Sequence, residues 1–180
     1  MKQNRNTMAK RQKEHSLTGR ITLPLMHAAF KKVKRNRGAA GIDKVSVRRF
    51  EGNLEDNLLA LMKDLKSGEY EPMPLRRVHI PKDPRSKRTR PLGIPAVRDR
   101  VAQEVVRSLL EPIFEPLFHE SSHGFRPQRS CHTALHEVLA LHHEGYLTVL
   151  DCDVEGFFDN IPLDVIMQLV ADKVADGNIL

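Results

Sequence analysis

The chain has 180 residues, 40% hydrophobic and 29% charged, enough for one domain or one and a half with a core of its own. No run approaches the roughly 18–20 apolar residues of a membrane span, and the basic N-terminus lacks the apolar region of a secretory signal. Two distant cysteines, Cys131 and Cys152, give no disulfide framework, so a reduced, intracellular protein is expected.

The net charge of +6 hides a gradient. Residues 1–50 carry +12, residues 51–100 carry +3, residues 101–150 carry −3 and residues 151–180 carry −6. A cationic end suits a polyanion and an acidic end suits a cation. The plainer alternative is a basic tail and a solvated acidic helix.

Residues 1–20 are polar, basic and without period, which predicts a mobile segment. Thr22 and Pro24 then start a helix on Leu25, Met26, Ala29, Phe30 and Val33, which "KKVKRNRG" ends with cations and Gly38. "GAAGIDKVS" reads as a loop. Leu54, Leu58, Leu61 and Leu65 step by helical intervals and stop near "KSGEY". In "PLRRVHIPK", Val78 and Ile80 alternate with Arg77 and His79, the pattern of a half-exposed strand. "DPRSK" is a turn and "RTRPLGI" the returning strand. The hairpin rim carries Arg76, Arg77, Lys82, Arg85, Lys87, Arg88 and Arg90. A long helix from "RDRVAQ" is interrupted by Pro112 and Pro116. Ser130 caps a helix on Ala134, Leu135, Val138 and Leu139. Residues 146–153 are expected as a buried strand, and 162–174 as a last helix capped at Asn160. The mixture predicts an α+β fold.

The string "LDCDVEGFFDNIP" puts three aspartates, Asp151, Asp153 and Asp159, within nine residues. On a strand, Asp151 and Asp153 would share a face, with Cys152 opposite. Gly156 would let the chain turn. A carboxylate beside an accessible backbone carbonyl is a hard-oxygen site suited to Mg²⁺. Two-metal phosphoryl transfer needs such ligands plus cations on the triphosphate, which the hairpin could provide. Asp159 or Asn160 could equally be a helix cap. Cys131, His132, His136, His142 and His143 form only a loose set, and no zinc site is expected from them.

Four strings resemble, in order, the reverse transcriptases of group II introns, the intron maturases. They are "GAAGID" at 38–43, "IPK…RPLGIPAVRDRVAQ" at 80–103, "LEPIFEPLFHESSHGFRPQRSCHTAL" at 110–135, and "LDCDVEGFFDNI" as motif A. The resemblance implies a right-hand polymerase: the fingers subdomain, helices plus a β-hairpin, followed by the first palm strand and helix. It divides the chain into a basic N-terminus at 1–20, a helical extension of the fingers at 21–70, fingers with the basic hairpin and part of the palm at 71–140, and the start of the palm at 141–180. It implies Asp153 as the catalytic, Mg²⁺-binding aspartate and the carbonyl of Val154 as a further ligand. Asp151 would act behind them. Phe158 would be the steric gate favouring dNTP. Lys82 and Arg90 would hold the triphosphate, and Arg126, with Arg129, would lie on the nucleotide or template side.

The 180 residues contain no adjacent aspartate pair, so the Tyr-Ala-Asp-Asp turn of the family is absent. An N-terminal piece that binds RNA without polymerising is therefore expected, from an RNA-directed DNA polymerase whose template is RNA and primer DNA. Intron RNA would be held by Lys31, Lys32, Lys34, Arg35, Arg37, Arg76, Arg77, Arg85, Lys87 and Arg88. A homodimer through uncovered palm surface is also conceivable, and the expected setting is the bacterial cytoplasm, away from membranes. The rival readings are a stand-alone RNA-binding, splicing-support protein with a vestigial motif A, and a reverse transcriptase of another bacterial retroelement.

Overall fold

The computed structural model of the protein describes residues 13–81 and 88–180, without the side chains of Phe158 and Asp159. The chain divides into two units, one reaching Leu109 and including Val170–Leu180, the other Leu110–Leu169.

In the first unit, α1 spans Leu23–Arg35. Thr22 accepts the first orphan N–H, from Leu25, and Pro24 occupies a position whose own N–H would lack a partner. Met26, Ala29, Phe30 and Val33 are buried, as their spacing predicts. The C-terminal signal differs. The left-handed residue after the helix is Arg37, at φ 48°, rather than Gly38. Gly38 serves a different purpose: a Cβ there would lie 2.2 Å from a terminal nitrogen of Arg100.

A short helix, α2 (Val47–Gly52), interrupts the stretch expected as loop and α3 approach. Ser46 caps it, and Phe50 stacks on Phe30 with ring centroids 5.6 Å apart. Six residues with one buried aromatic show too little period to be read from sequence. α3 (Leu54–Ser67) buries Leu58, Leu61 and Leu65 and stops at Gly68, whose φ of +75° most residues avoid. These side chains join Ile21 and Val97, Val101, Ala102, Val105 and Leu109 in one largely aliphatic core. Fully burying each such Leu or Val contributes about 1.5–3 kcal/mol.

The hairpin forms as expected, with β1 at Arg76–Pro81 and β2 at Thr89–Ile94. The strands are antiparallel, pairing Arg76 with Ile94 and Pro81 with Thr89. On β1, Arg76, Val78 and Ile80 are half-buried while Arg77, His79 and Pro81 are exposed. A lone two-stranded hairpin is marginal in water, so its root matters. That root is Asp99, in the first turn of α4 (Val97–Phe114) and only 2% exposed. Its carboxylate accepts hydrogen bonds from the Tyr70 hydroxyl (2.7 Å) and the Met73 amide (3.1 Å). Arg98, beside it, lies over the Tyr70 ring and pairs with Asp64.

Residues 13–20 depart from the expected mobility. Glu14 exchanges backbone hydrogen bonds with Lys173 and Ala175 at 2.9 and 2.8 Å. The carboxylate of Asp176 accepts from the Thr18 amide (2.7 Å) and hydroxyl (2.5 Å). Burial pushes the Asp176 carboxyl up, but hydrogen bonds from Thr18, Asn178 and Leu17 outweigh it and hold it below its ordinary range. The partners lie some 158 residues away in sequence, beyond any local pattern.

In the second unit, α4 continues through Pro112 to Phe114 and a 3₁₀ turn takes Pro116. α5 (Cys131–His143) starts at a reciprocal cap between Ser130 and Thr133. Its Leu135, Val138 and Leu139 remain exposed.

Two expectations are corrected here. Residues 146–153 are irregular rather than a buried strand, with Leu147 and Leu150 exposed by 74% and 87%. A strand is completed by a neighbour that takes its N–H and C=O groups, and no segment among the described residues pairs with this one. The last helix forms as α7 (Leu163–Ala171), ending short of residue 174, but its expected cap lies in a separate single turn, α6 (Phe157–Asn160). Asn160 donates back to the Gly156 carbonyl at 2.9 Å rather than capping α7.

Candidate nucleic-acid interface and acidic turn

The expected cations of the first unit fall in two places. Lys31, Lys32, Lys34, Arg35 and Arg37 are exposed along and just beyond the last turns of α1. Lys32 pairs with Glu104 at 2.8 Å and Lys34 with Glu51. On the hairpin, Arg77, Arg88 and Arg90 are exposed. Arg76 is half-buried, and its Nε is buried without a hydrogen-bond partner. Lys82, Arg85 and Lys87 lie outside the described residues.

Sequence reasoning missed a third group. Arg100, Gln103, Glu104 and Arg107 line a cleft of about 270 Å³ with Lys32, Val33 and Asn36. Their spacing of 3, 1 and 3 places them on one face of α4, away from Val101 and Val105, which was the available signal. Glu104 receives Arg107 at 2.9 and 2.8 Å as well as Lys32. The hydrogen bond from Arg107, aided by Lys32, outweighs burial and holds the Glu104 carboxyl down at about 2.

In the second unit, Arg126 is turned inward, its side chain 9% exposed. It donates to the Glu115 carboxylate at 3.0 and 2.8 Å and to the carbonyls of His119 (2.7 Å) and Ser122 (2.9 Å). Its guanidinium also lies over the Phe118 ring. Arg129 donates to the Glu120 carbonyl at 2.8 Å. These contacts tie together the loop between α4 and α5. The loop also holds two non-glycine residues at positive φ, Phe125 at 56° and Gln128 at 59°. His123 bridges Thr133 (2.9 Å) and Glu137 (2.7 Å). Hydrogen bonds from Ser121 and His123 keep the half-buried Glu137 carboxyl below its usual range.

The acidic turn lies in the second unit as well. Asp151, Asp153 and Val154 are exposed, and Gly156, at φ +60°, leads into α6 with Phe158 in it. Asp153 and the Val154 carbonyl are adjacent oxygen donors of the kind Mg²⁺ takes. Magnesium wants six oxygens, several from water and phosphate, and one or two carboxylates from protein. The pair therefore fits part of a donor set. Among the described residues no three His, Cys, Asp or Glu side chains gather into a metal site. Arg90 and Arg88 belong to the first unit, and Asp153, Val154, Phe158 and Arg126 to the second.

A strongly basic helix end and hairpin are thus followed along the chain by a carboxylate-bearing turn. Residues 80–176 match the reverse transcriptase (RNA-dependent DNA polymerase) family, and the chain belongs to it. Its relatives include a group II intron-encoded protein and an intron maturase. It is 39% identical over 155 residues to the group II intron-encoded protein LtrA of Lactococcus lactis subsp. cremoris, covering 84% of this chain and 25% of that protein. It is 38% identical over 144 residues to protein YkfC of Escherichia coli (strain K12), covering 78% of this chain and 37% of that protein. Over 86 residues it is 38% identical to nuclear intron maturase 1, mitochondrial, of Arabidopsis thaliana, with 48% of this chain and 12% of that protein covered. The chain thus spans about a quarter of the first relative's length. Among the described residues no helix is long and apolar enough to cross a membrane.

Proposed function

We propose that these residues are the fingers and the opening of the palm of a group II intron reverse transcriptase and maturase, and that by themselves they bind RNA without polymerising DNA. The observation that carries this is the exposed cationic surface of α1 and the hairpin in a chain of the reverse transcriptase family. RNA helices are held largely through phosphates and 2′-hydroxyls, so a surface rich in Lys and Arg and poor in aromatics suits them.

In the whole polymerase, Asp153 and the Val154 carbonyl would hold Mg²⁺, which supplies charge neutralisation at the reacting phosphate when bound. Phe158 would exclude a 2′-hydroxyl, and Lys82 with Arg90 would hold the triphosphate. The caged guanidinium of Arg126 supports a positioning role, shaping the loop beside the nucleotide rather than reaching out to it. The bacterial sources of two relatives support a bacterial, cytoplasmic setting.

The test is binding of this chain to a structured group II intron RNA and to duplex DNA of equal length, at two salt concentrations. Tighter, salt-dependent binding of the RNA is expected. Equal, weak binding of both would refute the reading.

A further inference from the structure

The cleft between the end of α1 and α4 is built unlike the rest of the basic surface. Its three cations, Lys32, Arg100 and Arg107, face one carboxylate, Glu104, which leaves +2 by count (3 − 1). Glu104 does more than cancel charge. One of its oxygens receives both Lys32 and Arg107 at 2.8 Å, which fixes two long, mobile side chains in place. The hydrogen bond from Arg107, with Lys32, holds its carboxyl low, so it carries its charge across the physiological range.

Arg100 is fixed separately. It donates to the Ala39 carbonyl at 2.5 Å, while its Nε is buried without a partner. Gly38 keeps the room the guanidinium occupies, since any Cβ there would collide with it. Burial lowers the Arg100 pKa, and Asp43 offsets part of that. A guanidinium held against backbone, and an ammonium and a second guanidinium held on a carboxylate, are ordered donors, with the amides of Asn36 and Gln103 beside them. Side chains already ordered lose little freedom when a ligand arrives.

We propose that this cleft is a phosphate-binding site, taking a backbone phosphodiester of the bound RNA. The assignment of RNA rests on the function proposed above; the cleft's preference for a phosphate oxyanion rests on its own charges. Guanidinium groups offer donors matched to phosphate oxygens, and the residues lining the cleft carry three cations against one carboxylate. Two neighbouring features favour a polymer over a free anion. The cleft is open at the surface, and Lys31 and Arg35 stand exposed on the same final turns of α1, placed for adjoining phosphates.

The experiment measures affinity by fluorescence anisotropy for a labelled, structured group II intron RNA and for duplex DNA of equal length, at about 50 and about 200 mM salt. Gln103→Glu adds a carboxylate to the cleft at an exposed position, so the fold is left alone, which circular dichroism checks. Lys63→Gln, an exposed cation on α3 outside the cleft and outside the basic surface assigned to RNA, is the control. Gln103→Glu should weaken RNA binding about ten-fold and lower the slope of log K on log salt by about 0.7–0.9, one phosphate's share. Lys63→Gln should change affinity less than about three-fold. Wild-type RNA binding with Gln103→Glu equal to it would overturn the cleft and leave the RNA reading standing. A loss confined to duplex DNA would give the cleft to a different polymer and also overturn it. Inorganic phosphate that competes with RNA at constant ionic strength, with RNA affinity unchanged by Gln103→Glu, would reassign it to free phosphate. A wild-type chain without salt-dependent RNA binding would overturn both proposals.

Discussion

Asp99 offers the sharpest test of how the hairpin is held. It lies in the first turn of α4, where a negative charge meets the positive end of the helix dipole. Asp99→Ala leaves the Tyr70 hydroxyl and the Met73 amide without their acceptor. Hydrogen bonds to a charged group are worth about 1.5–3 kcal/mol each, so the two give an upper figure of about 3–6 kcal/mol. Tyr70 and Met73 are both partly exposed, so water recovers some of that. Removing the carboxylate also removes its own desolvation penalty. The expected net loss is about 2–3 kcal/mol, a large share of the roughly 5–15 kcal/mol of a typical domain. Urea unfolding of the wild type, Asp99→Ala, Tyr70→Phe and the double variant measures both the loss and the Asp99–Tyr70 coupling. A coupling of about 1–2 kcal/mol is expected from residues in direct contact. Amide exchange in β1 and β2 should accelerate in Asp99→Ala even where global unfolding is rare. A coupling below about 0.5 kcal/mol, with unchanged exchange in the hairpin, would refute the account.

Gly41→Ala should destabilise by about 1–3 kcal/mol, because its Cβ would lie 2.5 and 2.6 Å from the backbone of Ala96, which has no side chain to swing aside. Thermal unfolding reads this, and an unchanged melting temperature would contradict the close approach. The Glu104 carboxyl is lowered from 4.5 to about 2, so its contribution to stability is present above pH 4.5 and disappears as pH falls towards 2. Glu104→Gln should therefore be less stable than wild type at neutral pH and should flatten the acid limb between those values; an identical acid limb would remove the clamp. Asp153→Asn should leave RNA affinity of this chain unchanged and abolish dNTP incorporation in a longer chain that supplies the remaining carboxylates. Retained incorporation would take Asp153 out of the metal site.

Much was legible from local chemistry. Thr22, Pro24 and the spacing from Met26 to Val33 state α1; Leu58 to Gly68 states α3 and its end; the alternation of Val78 and Ile80 with Arg77 and His79 states β1. In each case the deciding terms, a cap, a period or a positive φ, act within a few residues of each other. The charge gradient and the four ordered strings pointed to the family for a similar reason, since they are properties of residue type and order. Tertiary structure decided the rest. Asp176 and Thr18 meet across the length of the chain, and Asp99 holds a residue 26 positions earlier. The apolar run at 146–153 carries a strand's composition, but a strand exists only when another backbone accepts its hydrogen bonds. Lys32 reads from sequence only as one cation of a basic helix end, and nothing in the sequence singles out Arg100. They form a cleft because the core packs the helices that carry them and Glu104 holds Lys32 in place, and neither long-range packing nor a charge's partner is written in the residues beside it.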